Sequence, residues 1–423
     1  MAAQKPDIFT HDSSLERMPA SEREKKMGVR LAGLIKYACE RAPGFNARLN
    51  RAGLKPADIK SVADLQKIPV LRKDDLIQLQ KDEPPFGGYL AVPLSEVDRV
   101  YQSPGPIYDP ERKPRGFARR QAEGKGGIVV NTWSYHVTPA GMLMDRVIRN
   151  MGYTVFPAGT GNTELLVQVM RDLKVVGFVG TPSFLAAVIK KAEEAGYDFK
   201  RDFNLKFAMV FGEMGGDPLR KMFSEKYGIA CIGGDSYATA DIGSIASACD
   251  KNAGMHVNTD VIVEIVDPAS GKPLAPGEVG EIVVTPFDEV YPLIRFGTGD
   301  LSTLVIEPCT CGRTTPRLPK IMGRSGDAVR VRAMFVHPRQ TDEVMARYPE
   351  IASYQLIVTR SGDRDEMLLQ VELAKEPPDK EKWLEGLKKD FQTACKVRFD
   401  SIEYNRPGSI AKDAKKIVDK RIY

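Results

Sequence analysis

The chain has few cysteines and no long apolar run. Its six cysteines in 423 residues do not make the disulfide framework of a secreted protein, and three of them lie between positions 249 and 311. This clustering favours metal ligation in a reducing compartment. No stretch reaches the ~18 uninterrupted apolar residues of a transmembrane helix, and the N-terminus lacks the apolar segment of a signal peptide. These absences predict a cytoplasmic protein that does not span a membrane.

An excess of one charge is also missing. The 61 basic and 56 acidic residues give a net charge of +5, and the two signs are well mixed along the chain. A protein that binds nucleic acid usually concentrates basic residues on one face, and so small an excess does not indicate that kind of partner. We therefore expect neither nucleic acid nor a membrane surface as a partner.

The pattern of apolar residues predicts an α/β fold with two domains. A helix is expected at 21–40, and from 126 to 245 buried strand-like runs alternate with helical patterns, which indicates a mostly parallel sheet. Residues 257–305 change to Val- and Ile-rich strands with turns between them, which is typical of a small antiparallel, barrel-like part. We expect residues 1–323 to form a large domain and residues 324–423 to form a smaller α+β lid.

Loops are indicated where Pro and Gly accumulate. Residues 100–125 are rich in Pro, Gly, Arg and Lys, so they are expected to form a long polar loop. The strand–turn–helix junction Gly159–Thr163 could hold an anion on its backbone amides, and Gly180–Ser183 repeats this strand–turn–helix arrangement. The simpler interpretation, which we favour, makes Thr163 and Ser183 the N-caps of the helices that follow.

Four potential metal ligands occur as two pairs, Cys249 with His256 and Cys309 with Cys311. Three thiolates and one imidazole make a closed tetrahedral zinc set that leaves no position for water, so such a site stabilises structure and carries no reaction. It would join the segment near residue 250 to the segment near residue 310. Four unrelated buried residues are the alternative, but the close Cys-x-Cys pair followed by Gly312 favours a structural zinc site.

Two further segments contain the residue types of a nucleotide site. Tyr237 and Asp241 lie among glycines, and they offer an aromatic ring for stacking and a carboxylate for Mg²⁺ or ribose. Asp300 follows Gly299, and its carboxylate could accept two hydrogen bonds from a ribose diol. A buried tyrosine, an aspartate in a turn and a hairpin Gly-Asp pair are the ordinary explanations of the same residues.

Taken in order, these segments resemble the adenylate-forming superfamily and, within it, the phenylacetate–coenzyme A ligase family. The resemblance covers nearly the whole chain, and the zinc set is also typical of that family. The matching stretches are Gly161–Glu164, Gly180–Ser183, Gly212–Glu213, Tyr237–Asp241, Pro292–Phe296, Thr298–Asp300, Cys309–Arg313, Gly323–Ser325 and Ala414–Arg421.

This resemblance implies an aryl-acid–coenzyme A ligase that works in aromatic acid metabolism. ATP and an aromatic carboxylic acid would form an acyl-adenylate and pyrophosphate with the help of Mg²⁺. The lid would then rotate, and coenzyme A would take the acyl group and release AMP. The oligomeric state stays open, with a homodimer as one option.

The resemblance also implies roles for residues at the nucleotide end of the site. Gly212 and Glu213 correspond to the segment beside the adenine, and Tyr237 corresponds to the aromatic residue next to the base. Asp300 corresponds to the ribose ligand, with Arg324 as the basic residue behind it.

At the reacting end, Asp241 takes the position of a Mg²⁺-binding glutamate. Trp133, Tyr135 and His136 fall where the family lines its acyl pocket, and aromatic rings there could stack on an aryl acid. For Trp133 and Tyr135 a role in the hydrophobic core is the alternative.

Two departures from the family pattern affect the ATP half-reaction. The stretch aligned with the phosphate loop, Gln102–Pro110, contains three prolines where the family has small hydroxyl residues, and proline offers no amide donor. Asp413 stands at the position of the adenylation lysine, which leaves Lys412, one residue earlier, as the candidate catalytic lysine and Lys415 as the next candidate. The alternatives are therefore a relative that handles an acyl-CoA or an activated acid without ATP, and a non-catalytic binding subunit.

Overall fold

The computed structural model describes residues 12–103, 107–112, 126–212, 217–231, 235–249, 251, 253–325, 329–331, 334–336, 338–361, 364–395, 397–411 and 413–421. Short 3₁₀ helices in these ranges are Ser13–Glu16, Pro56–Asp58, Val62–Lys67 and Leu94–Glu96. The α-helices are α1 (Ala20–Arg41), α2 (Pro43–Arg51), α3 (Lys73–Asp82), α4 (Ala140–Asn150), α5 (Thr163–Asp172), α6 (Pro182–Glu194), α7 (Phe199–Asp202), α8 (Asp217–Tyr227), α9 (Pro338–Met345) and α10 (Lys380–Cys395).

The β-strands of the described ranges are mostly short. They are β1 (Val97–Ser103), β2 (Ile107–Arg112), β3 (Ile128–Asn131), β4 (Thr154–Pro157), β5 (Gly177–Gly180), β6 (Phe207–Val210), β7 (Ala230–Cys231), β8 (Ser236–Thr239), β9 (Gly243–Ala248), β10 (Met255–Val257), β11 (Val261–Val266), β12 (Gly280–Pro286), β13 (Phe296–Ser302), β14 (Arg317–Leu318), β15 (Gly323–Arg324), β16 (Val329–Val331), β17 (Met334–Val336), β18 (Ile351–Ser361), β19 (Arg364–Leu373), β20 (Ser401–Asn405) and β21 (Ile417–Asp419).

The chain forms two compact units. The first consists of Met1–Glu264, Val283–Thr298 and Leu304–Pro319. The second consists of Ile265–Ile282, Gly299–Thr303 and Lys320–Tyr423. The division into residues 1–323 and 324–423 stays a prediction.

A parallel sheet with the strand order β4-β3-β5-β6-β7 lies in the first unit. Successive side chains of a strand point to opposite faces of a sheet, and both faces are covered here. Val130 and Phe178 face the cluster formed with α5, α6 and α8. Val129 and Val179 face a smaller cluster that contains Ile148 of α4. The predicted alternation of buried strands and helices is confirmed.

The N-terminal helices pack around their own apolar cluster. The buried stripe on α1 includes Leu31, Leu34, Ile35 and Ala38, spaced three or four residues apart as one helix face requires. The cluster extends to Phe296, which begins β13. The helix predicted at 21–40 is confirmed as α1.

Strands β1 and β2 form an antiparallel hairpin, where the sequence predicted a polar loop over 100–125. Tyr101 pairs with Asp109 and Ser103 with Ile107, and the buried side chains of Tyr101 and Ile107 give the hairpin an inward face. The loop prediction is therefore wrong for the paired residues, because the density of Pro and Gly outweighed this short apolar pattern. Residues 113–125 lie outside the described ranges.

Two further antiparallel arrangements follow the parallel sheet in the chain. The strand orders are β14-β10-β9-β8 and β11-β12-β13-β15. The second of these contains the strands expected in the Val- and Ile-rich region. A barrel-like closure of this part stays a prediction.

In the second unit, β18 and β19 form a long antiparallel pair with β20 and β21 on its outer edges, in the order β20-β19-β18-β21. The buried face contains Leu356, Leu369 and Val371 and packs with Leu387 and Phe391 of α10. This confirms the mixed α+β character predicted for the C-terminal region.

Candidate functional site

The four predicted metal ligands lie together in the first unit. Cys249 follows β9, and His256 is on β10, which pairs with β9. A tight turn, in which the Gly312 amide donates to the Cys309 carbonyl at 2.9 Å, brings in Cys309 and Cys311. The ligand atoms of the four side chains all lie within 4.8 Å of one another.

The spacing of these atoms fits a tetrahedral metal. Zinc bonds of about 2.3 Å to sulfur and about 2.05 Å to nitrogen would place two sulfurs roughly 3.8 Å apart and a sulfur and a nitrogen roughly 3.5 Å apart. Cys249 Sγ and Cys309 Sγ lie 3.8 Å apart, and Cys311 Sγ and His256 Nε2 lie 3.5 Å apart. The donor set and its spacing therefore fit zinc.

His256 is held in an orientation that suits ligation. Its Nδ1 lies 3.1 Å from Thr315 Oγ1, which leaves Nε2 towards the thiols, and such an outer partner fixes the ring of a metal ligand. Burial lowers the pKa of His256, and the nearby positive charge of Arg313 lowers it further. Both effects favour the neutral ring, which is the form that binds a metal.

The cysteine turn also holds the N-terminal segment. Arg17 Nη1 donates to the Cys311 carbonyl at 3.0 Å, and the amide of Thr314 donates to the Glu16 carbonyl at 2.8 Å. Gly312 has a φ of +85°, and a Cβ at this position would lie 2.4 Å from Arg17 Nη1. The positive φ favours glycine there, and a side chain would also displace the end of the arginine.

Tyr237 and Asp241 lie on and just after β8. The Tyr237 ring is buried, and the turn that follows is closed by the Ile242 amide, which donates to Thr239 Oγ1 at 3.2 Å. The carboxylate of Asp241 is 1% exposed and accepts a hydrogen bond from Lys73 Nζ at 2.7 Å. Sequence reasoning missed Lys73, because no local pattern links α3 to residue 241.

Trp133 stacks on Phe211, with 5.2 Å between the ring centroids, and its ring also lies over Gly212. The indole Nε1 is buried and has no hydrogen-bond partner among the described residues. An aromatic face and an unused N–H donor therefore lie beside one of the residues assigned to the adenine. Glu213 lies outside the described residues.

Replacing Gly212 with alanine is expected to displace Trp133. Gly212 has a φ of +83°, and a Cβ there would lie 2.5 Å from Trp133 Cη2. If Trp133 lines the acyl pocket as the resemblance implies, we expect the KM for the acid to rise about tenfold and the KM for ATP to change less, because the added methyl group displaces the indole ring. Gly228→Ala is the matched control, since Gly228 also has a positive φ, +68°, and a Cβ there would meet nothing within 4 Å. Equal effects of the two substitutions would contradict the prediction.

Tyr135 is engaged within the first unit. Its hydroxyl accepts from Asn131 Nδ2 at 2.7 Å and donates to Asp145 Oδ2 at 3.2 Å, and burial raises its pKa to about 12. These contacts favour the core role that the sequence left as the alternative. His136 is exposed. The acyl-pocket roles of both residues stay predictions.

The β1–β2 hairpin, which aligns with the phosphate loop of the family, is fixed by side chains that the sequence did not single out. The Gln80 amide donates to the Tyr108 carbonyl and accepts from the Tyr108 amide, both at 2.9 Å. Arg146 donates to Glu111 at 2.6 Å, and Tyr101 donates to the same carboxylate at 2.9 Å. Such contacts make the hairpin a firmly held element.

Asp300 and Arg324 form a pair in the second unit. They lie opposite each other on β13 and β15, and Arg324 Nε is 3.0 Å from Asp300 Oδ1. The amide of Gly299 donates to Glu281 Oε1 at 3.1 Å, which fixes the backbone before Asp300. Arg324 thus lies beside Asp300 in the structure. Their catalytic and ribose-binding roles stay predictions.

The segment between β20 and β21 contains the candidate lysine. The carboxylate of Glu372 accepts from the amides of Gly408 and Ile410, at 3.1 and 2.5 Å, and Gln355 Nε2 donates to the Lys415 carbonyl at 2.8 Å. Lys412 lies outside the described residues, and its role stays a prediction. Asp413, at the position of the family's lysine, is exposed.

Comparisons with known proteins identify the family of the chain, and the roles of the individual site residues stay predictions. No described helix has the length and apolar character needed to cross a membrane. The family model of the AMP-binding enzyme C-terminal domain matches residues 333–421. The structure of an open conformation of 2-hydroxyisobutyryl-CoA ligase, in complex with 2-HIB-AMP and CoA, superposes with a TM-score of 0.82 at 28% identity and covers 96% of this chain and 93% of that one.

Two curated relatives carry the same name. The phenylacetate-coenzyme A ligase of Thermus thermophilus is 31% identical over 384 residues, which are 86% of this chain and 84% of that protein. The phenylacetate-coenzyme A ligase of Aromatoleum evansii is 30% identical over 436 residues, which are 96% of each. The resemblance seen in the sequence is confirmed, and the chain belongs to the phenylacetate–coenzyme A ligase family.

Proposed function

We propose that the chain joins an aryl carboxylic acid to coenzyme A through an acyl-adenylate, with AMP and pyrophosphate as the other products. The observation that carries this proposal is family membership over 86% and 96% of the chain in two relatives named as phenylacetate-coenzyme A ligases. The solved relative of 28% identity, which is bound to 2-HIB-AMP and CoA, supports the adenylate route over the two alternatives without ATP-dependent activation.

The two half-reactions follow from the chemistry of a carboxylate. A carboxylate is a poor acyl donor, so its oxygen first attacks the α-phosphorus of ATP, and the bond to pyrophosphate breaks. The thiol sulfur of coenzyme A then attacks the acyl carbon, and AMP leaves with the electron pair of the carbon–oxygen bond. The first step needs cations around the phosphates, because negative charge shifts to the leaving pyrophosphate.

Each unit contains residues to which the proposal gives a role. In the first unit, Tyr237 would lie beside the adenine, and Trp133 would offer its face to the aryl ring. In the second, Asp300 would bind the ribose hydroxyls with Arg324 beside it. Lys412 would supply a cation to the adenylation step from a segment that Glu372 anchors by its backbone amides.

The proposed function includes two metal ions, a Mg²⁺ ion and a structural zinc ion. Asp241 would hold Mg²⁺, which protein sites commonly bind through one or two carboxylates together with substrate phosphates. When bound, Mg²⁺ neutralises phosphate charge. The Cys249, His256, Cys309 and Cys311 set would hold a structural zinc ion, since a closed set leaves no open position for a reacting group. A cytoplasmic location and a homodimer stay predictions.

The test is ATP–pyrophosphate exchange with a panel of aryl acids, followed by detection of the CoA thioester. We expect acid-dependent exchange in the wild-type chain. In Asp300→Ala the KM for ATP should rise about tenfold or more, because the ribose loses a charged hydrogen-bond acceptor. The KM for the acid should stay within about twofold. Asp172→Ala, which removes an aspartate that is 47% exposed on α5, is the control and should leave both unchanged.

Other outcomes point to the alternatives. Turnover of an acyl-CoA without exchange would favour a relative that needs no ATP. Ligand binding without any turnover would favour a binding subunit. Exchange that persists unchanged in Asp300→Ala would refute the ribose assignment but leave the activity itself standing.

A further inference from the structure

Helix α3 connects two parts of the candidate site through one face. Lys73 and Gln80 are seven residues apart, with Leu76 between them, so they lie on the same side of the helix. Lys73 contacts Asp241, and Gln80 holds Tyr108 of the β1–β2 hairpin. The helix therefore fixes the carboxylate and the hairpin with respect to each other.

Tyr291 contacts the same face of α3 and is influenced by charges near both of these contacts. Gln80 Nε2 also donates to the Tyr291 hydroxyl at 2.9 Å. Burial raises the pKa of Tyr291, and the negative charges of Asp109 and Asp241 raise it further. The hydroxyl that Gln80 contacts is thus influenced by the charge of Asp241 and by the charge of Asp109 on the hairpin.

The ammonium of Lys73 has more N–H donors than its contact with Asp241 uses. An ammonium carries three N–H donors, and in the described residues its hydrogen bond is to Asp241 Oδ2, at 2.7 Å. Its Nζ lies 5.8 Å from the centroid of the Phe296 ring. The Lys73 side chain is 21% exposed, while that of Asp241 is 1% exposed, so a ligand could reach the ammonium from solvent.

The sequence has few other groups that could neutralise the phosphates of ATP at the positions where the family has them. Only three residues, two of them prolines, separate the paired ends Ser103 and Ile107 of the hairpin. Because proline has no backbone N–H, this stretch of sequence offers few amide donors to phosphates. The position of the adenylation lysine also carries Asp413. The charge that neutralises the phosphates must then come in part from elsewhere.

We propose that Lys73 is a catalytic residue of the adenylation step, with its ammonium bound to a phosphate oxygen of ATP while it keeps its hydrogen bond to Asp241. The proposal rests on the proposed function and adds a residue to it. The carboxylate oxygen forms a bond to the α-phosphorus, the bond to pyrophosphate breaks, and pyrophosphate leaves with the electron pair. Lys73 transfers no proton in this step and stabilises the charge that develops on the phosphates.

A merely structural role would have a different signature. A buried carboxylate needs a compensating charge, and Lys73 could be retained for Asp241 alone. In that case, loss of Lys73 would disturb adenosine and ATP binding alike. A phosphate contact predicts instead a loss that is specific to ligands with phosphates.

The experiment compares the full-length chain with Lys73→Met, Lys73→Gln and Lys73→Arg. Lys73→Gln keeps a donor for Asp241 without the charge, so it serves if the methionine variant folds poorly. Lys81→Met removes an exposed lysine from the same helix and is the matched control. Calorimetry measures the affinities for ATP and for adenosine, exchange measures adenylation, and presynthesised aryl-adenylate with coenzyme A measures the second half-reaction alone.

For the neutral variants we expect kcat/KM for exchange to fall about 100-fold and ATP affinity to fall about tenfold. Adenosine affinity and thioester formation from the adenylate should stay within about twofold, and Lys73→Arg should recover most of the loss. Unchanged ATP affinity, or equal losses for ATP and adenosine, would overturn the proposal. If the wild-type chain shows no exchange, the proposed function fails, and the ratio of ATP to adenosine affinity still decides whether Lys73 binds phosphate.

Discussion

Replacing Cys309 with serine is expected to abolish zinc binding and to destabilise the first unit by more than about 4 kcal/mol, since loss of a metal site is among the largest single-residue effects. Cys309 Sγ lies 3.8 Å from Cys249 Sγ, and without Cys309 the set loses one of the four ligands of a closed site. Zinc content by mass spectrometry should fall from about one ion per chain to none. The midpoint of thermal unfolding should fall with it.

Proteolysis of the N-terminal segment is a second measurement that tests this prediction. Because Arg17 donates to the Cys311 carbonyl and Thr314 to the Glu16 carbonyl, loss of the metal should expose the segment around residues 13–18 to proteolysis. Cys39→Ser, which changes a half-buried cysteine outside the metal set, should leave zinc content and cleavage unchanged. Purified wild-type protein without stoichiometric zinc would end the zinc assignment.

The sequence predicted those features that depend on residue type and order. The metal set could be found because cysteine and histidine are rare in this chain, so two close pairs stand out. The parallel sheet could be found because its strands are apolar throughout. The N-caps were wrong by one or two residues: Asn162 Oδ1 accepts from the Leu165 amide, and Thr181 Oγ1 accepts from the Phe184 amide. Several neighbouring residues could cap equally well, and only the backbone decides among them.

Contacts between distant segments were beyond local patterns. Lys73 and Asp241 are 168 positions apart, and Gln80 reaches Tyr291 across 211 positions. A lysine at the start of a helix and a glutamine near its end look like ordinary surface residues. The hairpin was missed for a related reason, since Tyr101 and Ile107 are apolar anchors within a stretch that composition marks as a loop.

The structural role of Arg295 is visible only in the folded protein. It is 1% exposed, and its guanidinium makes a two-pronged contact with Glu264, with both N–O distances 2.9 Å. Arg295 Nη1 also donates to the Ile68 carbonyl at 2.6 Å. The backbone carbonyl of Arg295 accepts from the Leu71 amide at 2.8 Å. One side chain thus joins β11 to the segment before α3.

Arg295→Leu is expected to lower the free energy of unfolding by about 3–5 kcal/mol, because it leaves the Glu264 carboxylate buried without its cation. Arg295→Lys should recover only part of this, since an ammonium cannot reproduce the planar fork. The double variant Arg295→Leu with Glu264→Leu should recover more, because an apolar pair leaves no buried charge. Denaturant unfolding of the four proteins measures these differences, and a double variant less stable than Arg295→Leu would contradict the assignment.

The pH dependence of the same loss tests its cause. Burial raises the pKa of Glu264, and the charge of Arg295 opposes that rise, so removal of Arg295 should raise this pKa further. A carboxyl whose pKa is raised by folding favours the folded state when protonated, and its cost grows as the pH rises through the folded pKa. The stability deficit of Arg295→Leu relative to wild type should therefore be smaller at about pH 5 than at about pH 8. A deficit that is equal at both, or larger in acid, would mean that lost packing rather than an uncompensated charge is responsible.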